Sequence, residues 1–377
     1  MPRRNRPIDL ALQGGGALGA YTWGVLDRLL EDERVGFGAV SGASAGAMNA
    51  VVLADGLARD GRRGARDALR SFWMRVSNAS GRGPLSASLL PLLPWAMPAV
   101  AAPPWAAAAP WNVLFDGWGR ALAPAQFDPL AVNPLRDILA DEVDFARLRA
   151  FRGVRVSVSA TQVRSGRLRE FGHEELSVDA VMASACLPLL FRTVVIDGEA
   201  YWDGGYLANP SLLPLVAHSA SHDLVLVQIN PSRRETVPTQ PPEIADRIDE
   251  IVFNASLERE LRTLALVQQV LAESPPLPAG RSQAPLFERI AALRLHRIES
   301  DEPLVQPGTA QRLDTGWAGL SRLHRLGREA AERWLQNSYP HVGRRSTLAL
   351  ADCLEGLDLP VNRPGSGAAT ARRTSGA

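Results

Sequence analysis

Blocks of apolar residues in the first sixty positions predict two consecutive strand–loop–helix units. The run Ile-Asp-Leu-Ala-Leu at 8–12 has the length of a buried strand, and residues 20–30 then carry apolar side chains at helical spacing. A second strand-like run at 37–40 is followed by a second helical pattern at 45–57. Because successive right-handed units place their loops at the same edge of a parallel sheet, both loops are expected to open into one crevice.

Short apolar runs and helical patterns alternate again after residue 150. This alternation predicts an α/β fold with a mostly parallel central sheet and additional helices. The predicted strands lie at 154–163, 191–196, 200–202 and 223–229, and the predicted helices at 177–186, 242–273, 286–298 and 318–336.

Residues 84–118 differ from both regions, because they combine seven prolines with four tryptophans among leucines and alanines. Proline interrupts helical hydrogen bonding, so no membrane-spanning helix is expected here. Two compatible interpretations follow: an irregular cap packed on the domain, or a lid or interfacial surface that contacts acyl chains. The second interpretation predicts peripheral membrane contact.

Composition restricts the partners and the chemistry. The chain has 46% hydrophobic and 21% charged residues with a net charge of +1, which is ordinary for a globular protein and gives no indication of nucleic-acid binding. Only Cys186 and Cys353 occur, and residues 1–7 lead directly into a strand without an apolar signal segment, so a cytoplasmic location is expected. All 41 basic residues are arginine, which excludes a Schiff base, a Ser–Lys dyad and a P-loop lysine.

A nucleophile elbow is predicted at Ser44. The pentapeptide Gly42-Ala43-Ser44-Ala45-Gly46 lies between a predicted strand and a predicted helix, and its two glycines allow the tight packing that such a turn requires. Ser44 is therefore the candidate nucleophile for acyl chemistry. A hydroxyl needs a neighbouring base for this role.

Two residues are candidates for that base. Asp203 follows an aromatic strand end and precedes Gly204 and Gly205, where the backbone can bend and the carboxylate can face a crevice. His218 is the alternative, because Ser44, Asp203 and His218 follow the chain order of an α/β-hydrolase triad. It precedes a strand, however, and so is expected at the opposite edge of the sheet. The remaining histidines have no convincing catalytic context: His173, His222, His296, His324 and His341.

The glycine loop also has a second interpretation. Gly14, Gly16 and Gly19 satisfy the dinucleotide-binding pattern Gly-x-Gly-x-x-Gly after a strand. A dinucleotide fold would place an acidic residue at the end of the second strand, whereas this strand ends in Ser41-Gly42-Ala43-Ser44. The sequence therefore favours acyl chemistry over nucleotide binding.

Four motifs together resemble those of patatin-like phospholipases and occur in the same order. They are the glycine loop with Gly14, Gly15, Gly16 and Gly19, the elbow at 42–46, the block Ala183-Ser184-Ala185-Cys186-Leu187-Pro188, and Asp203-Gly204-Gly205. The resemblance covers about residues 8–230. It implies a three-layer α/β/α fold, a Ser44–Asp203 dyad and hydrolysis of lipid acyl esters without a metal or other cofactor.

The implied chemistry assigns the remaining motif residues. The tetrahedral oxyanion would be held by backbone N–H groups of Gly14, Gly15, Gly16 and Ala45. Burial beside Trp202 and Tyr206 is expected to raise the basicity of Asp203. The other motif glycines would support this geometry: Gly19, Gly42, Gly46, Gly204 and Gly205.

The domain prediction follows these motifs: an arm at 1–7, a catalytic domain at 8–230 with the insertion at 84–118, a mainly helical extension at 231–360 and a disordered tail at 361–377. One position departs from the family pattern. Leu18 stands where these proteins commonly carry Arg or Lys before the last glycine, so a general lipid esterase is as consistent with the sequence as a phospholipase. A non-hydrolytic lipid-binding or scaffolding protein on the same fold is the alternative from another class.

Overall fold

The computed structural model describes residues 6–80, 133–188, 191–234, 236–273, 285–304, 315–349 and 353–354. The cap or lid predicted at 84–118 and the tail predicted at 361–377 lie outside the described residues. The predicted arm at 1–7 is described only from Arg6, where the first strand begins.

Within these residues, eight strands form one sheet. They are β1 (Arg6–Leu12), β2 (Val35–Gly42), β3 (Arg155–Gln162), β4 (Arg167–Phe171), β5 (Val194–Ile196), β6 (Glu199–Asp203), β7 (Asp223–Val227) and β8 (Arg294–Ile298). Their order is β5-β6-β3-β2-β1-β7-β8, with β4 paired to β3 off this path. Strands β3, β2, β1, β7 and β8 are parallel, whereas β4 and β6 are antiparallel to β3 and β5 is antiparallel to β6.

The described part of the chain also contains nine α-helices. They are α1 (Gly19–Glu31), α2 (Ala45–Ser80), α3 (Pro134–Glu142), α4 (Phe145–Ala150), α5 (Val178–Ser184), α6 (Leu213–His218), α7 (Pro241–Glu273), α8 (Pro285–Ala292) and α9 (Trp317–Asn337). No helix among the residues described has the length and apolar composition needed to cross a membrane.

Alternate side chains of β1 and β7 point to opposite faces of the sheet and pack against different helices. One set packs in the core with α1, α2 and α9: Ile8, Leu10, Leu12, Val225 and Val227. The other set packs in a second core with α6, α7 and α8: Ala11, Leu224 and Leu226. Helices therefore cover both faces, which confirms the mixed α/β fold with a mostly parallel sheet between helical layers.

Helix α2 reverses direction at Asp60 and Gly61, whose backbone angles are not helical. Gly61 has a φ of 57°, and a Cβ atom placed on Gly56 would lie 2.5 Å from Ala65 Cα. Farther from the turn, the indole N–H of Trp73 donates to Asn49 Oδ1 at 3.1 Å. The two segments of α2 thus run antiparallel, and the second returns to the sheet edge from which the first begins.

The helix predicted over 286–298 is wrong in its second half. Helix α8 ends at Ala292, and Arg294–Ile298 instead forms β8, which pairs in parallel with β7 from Asp223↔Arg294 to Val227↔Ile298. The backbone of β7 offers this segment hydrogen-bond partners that no local pattern reveals. The predicted C-terminal extension at 231–360 therefore supplies a strand as well as helices, while its boundary at residue 230 stays a prediction.

Candidate active site

Ser44 lies on a strained turn between β2 and α2. Strand β2 ends at Gly42 and α2 begins at Ala45, and Ser44 between them has a φ of 53°, a conformation that non-glycine residues rarely adopt. Its side chain is half-buried. Its backbone N–H donates to Ser184 Oγ at 2.9 Å. The strain is thus maintained by a hydrogen bond from another element, as is common for residues held at functional sites.

The two glycines of the elbow are required by close backbone contacts. A Cβ atom on Gly42 would lie 2.5 Å from the carbonyl oxygen of Gly46. A Cβ atom on Gly46 would lie far inside the van der Waals distance of the Leu12 carbonyl oxygen. Helix α2 therefore starts directly against the end of β1, which fixes the direction in which the Ser44 side chain leaves the turn.

Asp203 lies directly beyond the end of β2, because β6 takes the place of β2 beside β3. Strand β2 pairs with β3 up to Gly42↔Val158 and then leaves the sheet. Strand β6 pairs with the next part of β3, from Ala160↔Asp203 to Gln162↔Tyr201. Since β4 occupies the other side of β3, β2 and β6 follow one another along the same side. Ser44 and Asp203 are thereby brought together across 158 intervening residues.

The carboxyl group of Asp203 is completely buried. Its Oδ1 accepts a hydrogen bond from Gly205 N–H at 2.7 Å, whereas its Oδ2 has no hydrogen-bond partner among the described residues. Burial raises the pKa of Asp203 to about 7, although interactions with the Gly205 N–H and the Ser44 side chain lower it. The Ser44 hydroxyl thus lies beside the carboxyl group without forming a hydrogen bond of ordinary geometry with it.

The backbone of Asp203 is fixed on both sides. Its N–H donates to the carbonyl of Cys186 at 2.8 Å, and its carbonyl accepts from Thr161 Oγ1 at 2.8 Å. The predicted burial of Asp203 is confirmed, but Trp202 does not contribute as expected. Neighbouring strand residues point to opposite faces, and the Trp202 indole donates to Thr193 Oγ1 at 3.1 Å.

The glycine loop lies against Ser44. A Cβ atom on Gly14 would lie 2.7 Å from Ser44 Cβ. Among the described residues, none accepts a hydrogen bond from the backbone N–H of Gly15, Gly16 or Ala45. These three groups are therefore available as oxyanion donors.

Gly14 has a different role from the one predicted. Its N–H donates to Asn209 Oδ1 at 2.7 Å, so it is not free to receive an oxyanion. We therefore correct its place in the predicted oxyanion hole, since this bond instead holds the start of the loop beside Ser44.

Buried amide side chains, which the sequence did not single out, hold the same loop. Gln13 Oε1 accepts from the backbone N–H groups of Ile229 and Asn230 at 2.8 Å each, and Gln13 Nε2 donates to Asn254 Oδ1 at 2.8 Å. These bonds join the ends of β1 and β7 to α7. The sequence signal for them is position, since Gln13 directly follows β1 and Asn230 lies three residues beyond the end of β7, at the edge of the sheet where Ser44 lies.

Close approach also explains the remaining motif glycines. A Cβ atom on Gly19 would lie 2.6 Å from Ala45 Cβ, and one on Gly205 would lie 2.7 Å from the Phe253 ring. At Gly204, a side chain would collide with the carbonyl of Ser159 in β3.

The histidines lie away from Ser44. His222 directly precedes β7, and the register Leu12↔Val227 places the start of β7 one strand length from the elbow. His218 ends α6 on the same side, so the alternative triad is not formed. The other four make contacts elsewhere: His173 with Phe151 and Val156, His296 with Asp223 and Thr347, His324 with Asp27, and His341 with Arg345.

A family model described as patatin-like phospholipase matches residues 10–216, which is more than half of the 377 residues and includes both Ser44 and Asp203. No curated protein matches the chain. Among solved structures, the crystal structure of VipD from Legionella pneumophila is similar with a TM-score of 0.39 and 17% identity, over 88% of this chain and 67% of that chain. On the family match, this chain belongs to the patatin-like phospholipases, a family of lipid acyl hydrolases.

Proposed function

We propose that this protein hydrolyses lipid acyl esters through a covalent acyl intermediate on Ser44, with Asp203 as the base. The observation that carries the proposal is the buried Asp203 carboxyl group, whose Oδ2 has no partner among the described residues and whose neighbour is the hydroxyl of a strained elbow serine. A raised pKa makes this carboxylate a stronger base than an exposed one.

In the acylation step, Asp203 accepts the Ser44 proton while Oγ attacks the ester carbonyl. The negative charge that develops on the carbonyl oxygen is stabilised by the backbone N–H groups of Gly15, Gly16 and Ala45. The tetrahedral intermediate then collapses, and Asp203 returns the proton to the leaving alcohol. The acyl group remains on Ser44.

In the deacylation step, the same carboxylate accepts a proton from water as the water oxygen attacks the acyl carbonyl. The second tetrahedral intermediate releases the fatty acid, and the proton returns to Ser44 Oγ. No group other than the dyad and the backbone donors is needed to balance these steps.

Leu18, the residue before the last glycine of the loop, supports a substrate range with varied lipid headgroups. Leu18 is only 1% exposed and packs in the core with α1 and α2, so this position supplies no cation for a lipid phosphate. We therefore propose acyl esters with neutral or varied headgroups as substrates, with phospholipids among them.

The proposal is tested by incubating the protein with a soluble p-nitrophenyl ester and with a mixture of membrane lipids. We expect release of p-nitrophenol, release of fatty acids detected by mass spectrometry, and a fluorophosphonate adduct on Ser44. Lipid binding without any ester hydrolysis would favour the non-hydrolytic alternative. An adduct on a different residue would contradict the nucleophile.

The pH dependence of the reaction should report the Asp203 titration. The carboxylate acts as base only when ionised, and burial raises its pKa from 3.8 to about 7. We expect kcat/KM for a soluble ester to rise about tenfold per pH unit below this pKa and to level off above it. A profile that stays flat between about pH 5 and pH 8 would contradict the assignment.

Ser184 is expected to act as a positioning residue for the nucleophile. Ser184→Ala removes the acceptor of the Ser44 N–H, which relaxes the elbow, and we expect kcat to fall about tenfold with little change in KM. Ser41→Ala is the matched control, because Ser41 is fully buried in β2 and its Oγ has no partner among the described residues. Equal losses in both variants would indicate a general packing effect instead.

A further inference from the structure

Two buried asparagines hold the carbonyl group of Gly14 at the start of the glycine loop. Asn209 Nδ2 and Asn230 Nδ2 each donate to the Gly14 carbonyl oxygen at 3.4 Å, and both side chains are fully buried. Asn209 also accepts the Gly14 N–H through its Oδ1 at 2.7 Å. Asn209 therefore holds Gly14 on both sides, and Asn230 supplies a second donor to the same carbonyl.

The carbonyl of Gly14 and the N–H of Gly15 belong to one peptide group. This group is trans and planar, so its C=O and N–H bonds point in opposite directions. The Gly14 carbonyl points toward the two asparagines, and the Gly15 N–H consequently points away from them. No described residue accepts a hydrogen bond from this N–H. The direction of this proposed oxyanion donor is thus set by the hydrogen bonds at the other end of its peptide group.

The two asparagines are themselves held by neighbouring elements. Asn209 Nδ2 also donates to the carbonyl of Phe253 in α7 at 3.3 Å. The N–H of Asn230 donates to Gln13 Oε1 at 2.8 Å, and its carbonyl accepts from Gln228 Nε2 at 2.8 Å. The donors to Gly14 are therefore anchored to α7 and to the segment that follows β7.

The Asn230 side chain is buried at a cost in free energy. Its Oδ1 has no hydrogen-bond partner among the described residues, and a buried acceptor without a partner is destabilising. Within the same part of the chain, the one hydrogen bond of this side chain is its bond to Gly14. An apolar side chain of similar size would fill the space without this cost. The bond to Gly14 therefore accounts for an asparagine at this position.

We propose that Asn209 and Asn230 are positioning residues for the oxyanion hole, which aim the Gly15 N–H at the ester carbonyl oxygen. The inference rests on the proposed function, since it concerns a donor that stabilises the tetrahedral oxyanion. Hydrogen bonds accepted by the Gly14 carbonyl also polarise the peptide group, which strengthens its N–H as a donor. Because the donor acts on charge that develops in the transition state, loss of either asparagine slows the chemical step more than it weakens substrate binding.

The test compares a soluble oxygen ester with the thionoester of the same acid and alcohol, in which sulfur replaces the carbonyl oxygen. Sulfur is a weaker hydrogen-bond acceptor, so an aimed donor favours the oxygen ester beyond the ratio of the two rates in alkaline hydrolysis. We call this excess the oxygen preference of kcat/KM.

Asn209→Ala should lower kcat for the oxygen ester about 10- to 100-fold and Asn230→Ala about 3- to 10-fold, with little change in KM. The oxygen preference should fall in both variants. The midpoint of the pH profile should not move, because the proposed base is unaltered.

Asn49→Ala is the matched control. Asn49 is also fully buried; its Nδ2 donates to the carbonyls of Gly19 and Ala45 at 3.0 Å each, and its Oδ1 accepts from Trp73 Nε1 at 3.1 Å. The variant loses the same kinds of bonds as Asn209→Ala, but neither carbonyl belongs to the peptide group of a proposed oxyanion donor. Urea denaturation should show reduced stability, with the oxygen preference unchanged.

An oxygen preference that is unchanged in both Asn209→Ala and Asn230→Ala would overturn the inference, and so would an equal fall in Asn49→Ala. If Asn209→Ala does not fold, Asn230→Ala decides alone, since it removes a single side-chain bond. Failure of the unaltered protein to hydrolyse either ester would refute the proposed function. An unaltered protein that is active, with variants that keep its oxygen preference, would refute the positioning role alone.

Discussion

Replacing Asp203 by asparagine is expected to lower kcat/KM for a soluble ester by about 10²–10⁴-fold. The amide keeps the shape of the side chain, and its carbonyl oxygen can still accept the Gly205 N–H, but it cannot take the Ser44 proton. Ser44→Ala should cost about 10⁴-fold or more, because no acyl intermediate can form. In the double variant the losses should not add, since either change alone disables the same step.

Stability measurements separate this loss from unfolding. The pKa of Asp203 is higher in the folded protein than its ordinary value of 3.8, so the folded state holds the proton more tightly and stability falls as pH rises from that value to about 7. Asp203→Asn removes this cost and should be at least as stable as the unaltered protein at alkaline pH, as measured by urea denaturation. A marked loss of stability at alkaline pH would mean that the residue is mainly structural.

Gly46→Ala is expected to lower the free energy of unfolding by about 3 kcal/mol or more. The added methyl group would collide with the Leu12 carbonyl, and neither the start of α2 nor the end of β1 can yield without moving the elbow. Urea denaturation and the yield of soluble protein would measure the effect.

Gly172→Ala provides the matched control for this substitution. Its backbone φ is −73°, and the nearest atom to an added Cβ would be Glu175 Oε2 at an ordinary 3.6 Å. We expect its unfolding free energy to stay within about 1 kcal/mol of the unaltered protein. Similar losses in the two variants would contradict the steric explanation of the elbow.

Local signals were sufficient to predict the elbow at Ser44 and the glycine loop beside it. The elbow and the glycine loop combine strand, turn and helix within a few residues, and short-range sterics dictate both. The alternation of strands and helices likewise indicated a mostly parallel sheet. Asp203 could be selected because two glycines mark the turn that frees its carboxylate.

Features that depend on distant contacts could not be predicted in the same way. The local pattern of β8 predicts the end of a helix, because its pairing partner β7 lies far away in sequence. The amide network joins Gln13 to Asn254 across 241 positions, and the Gly14 N–H meets Asn209 across 195. A single asparagine or glutamine gives no sign of such a partner, so the sequence could not show that the Gly14 N–H is already engaged.

Strands β2 and β6 pair with successive parts of the same side of β3. This arrangement has a consequence for insertions into the chain. Ser44 and Asp203 are aligned by their common neighbour β3, not by the chain that connects them. Helices α2 and α3 are likewise joined by side chains, since Arg75 forms ion pairs with Asp141 and Glu142. A single-residue insertion within β3 would therefore turn the side chain of Ser44 or Asp203 to the wrong face of the sheet.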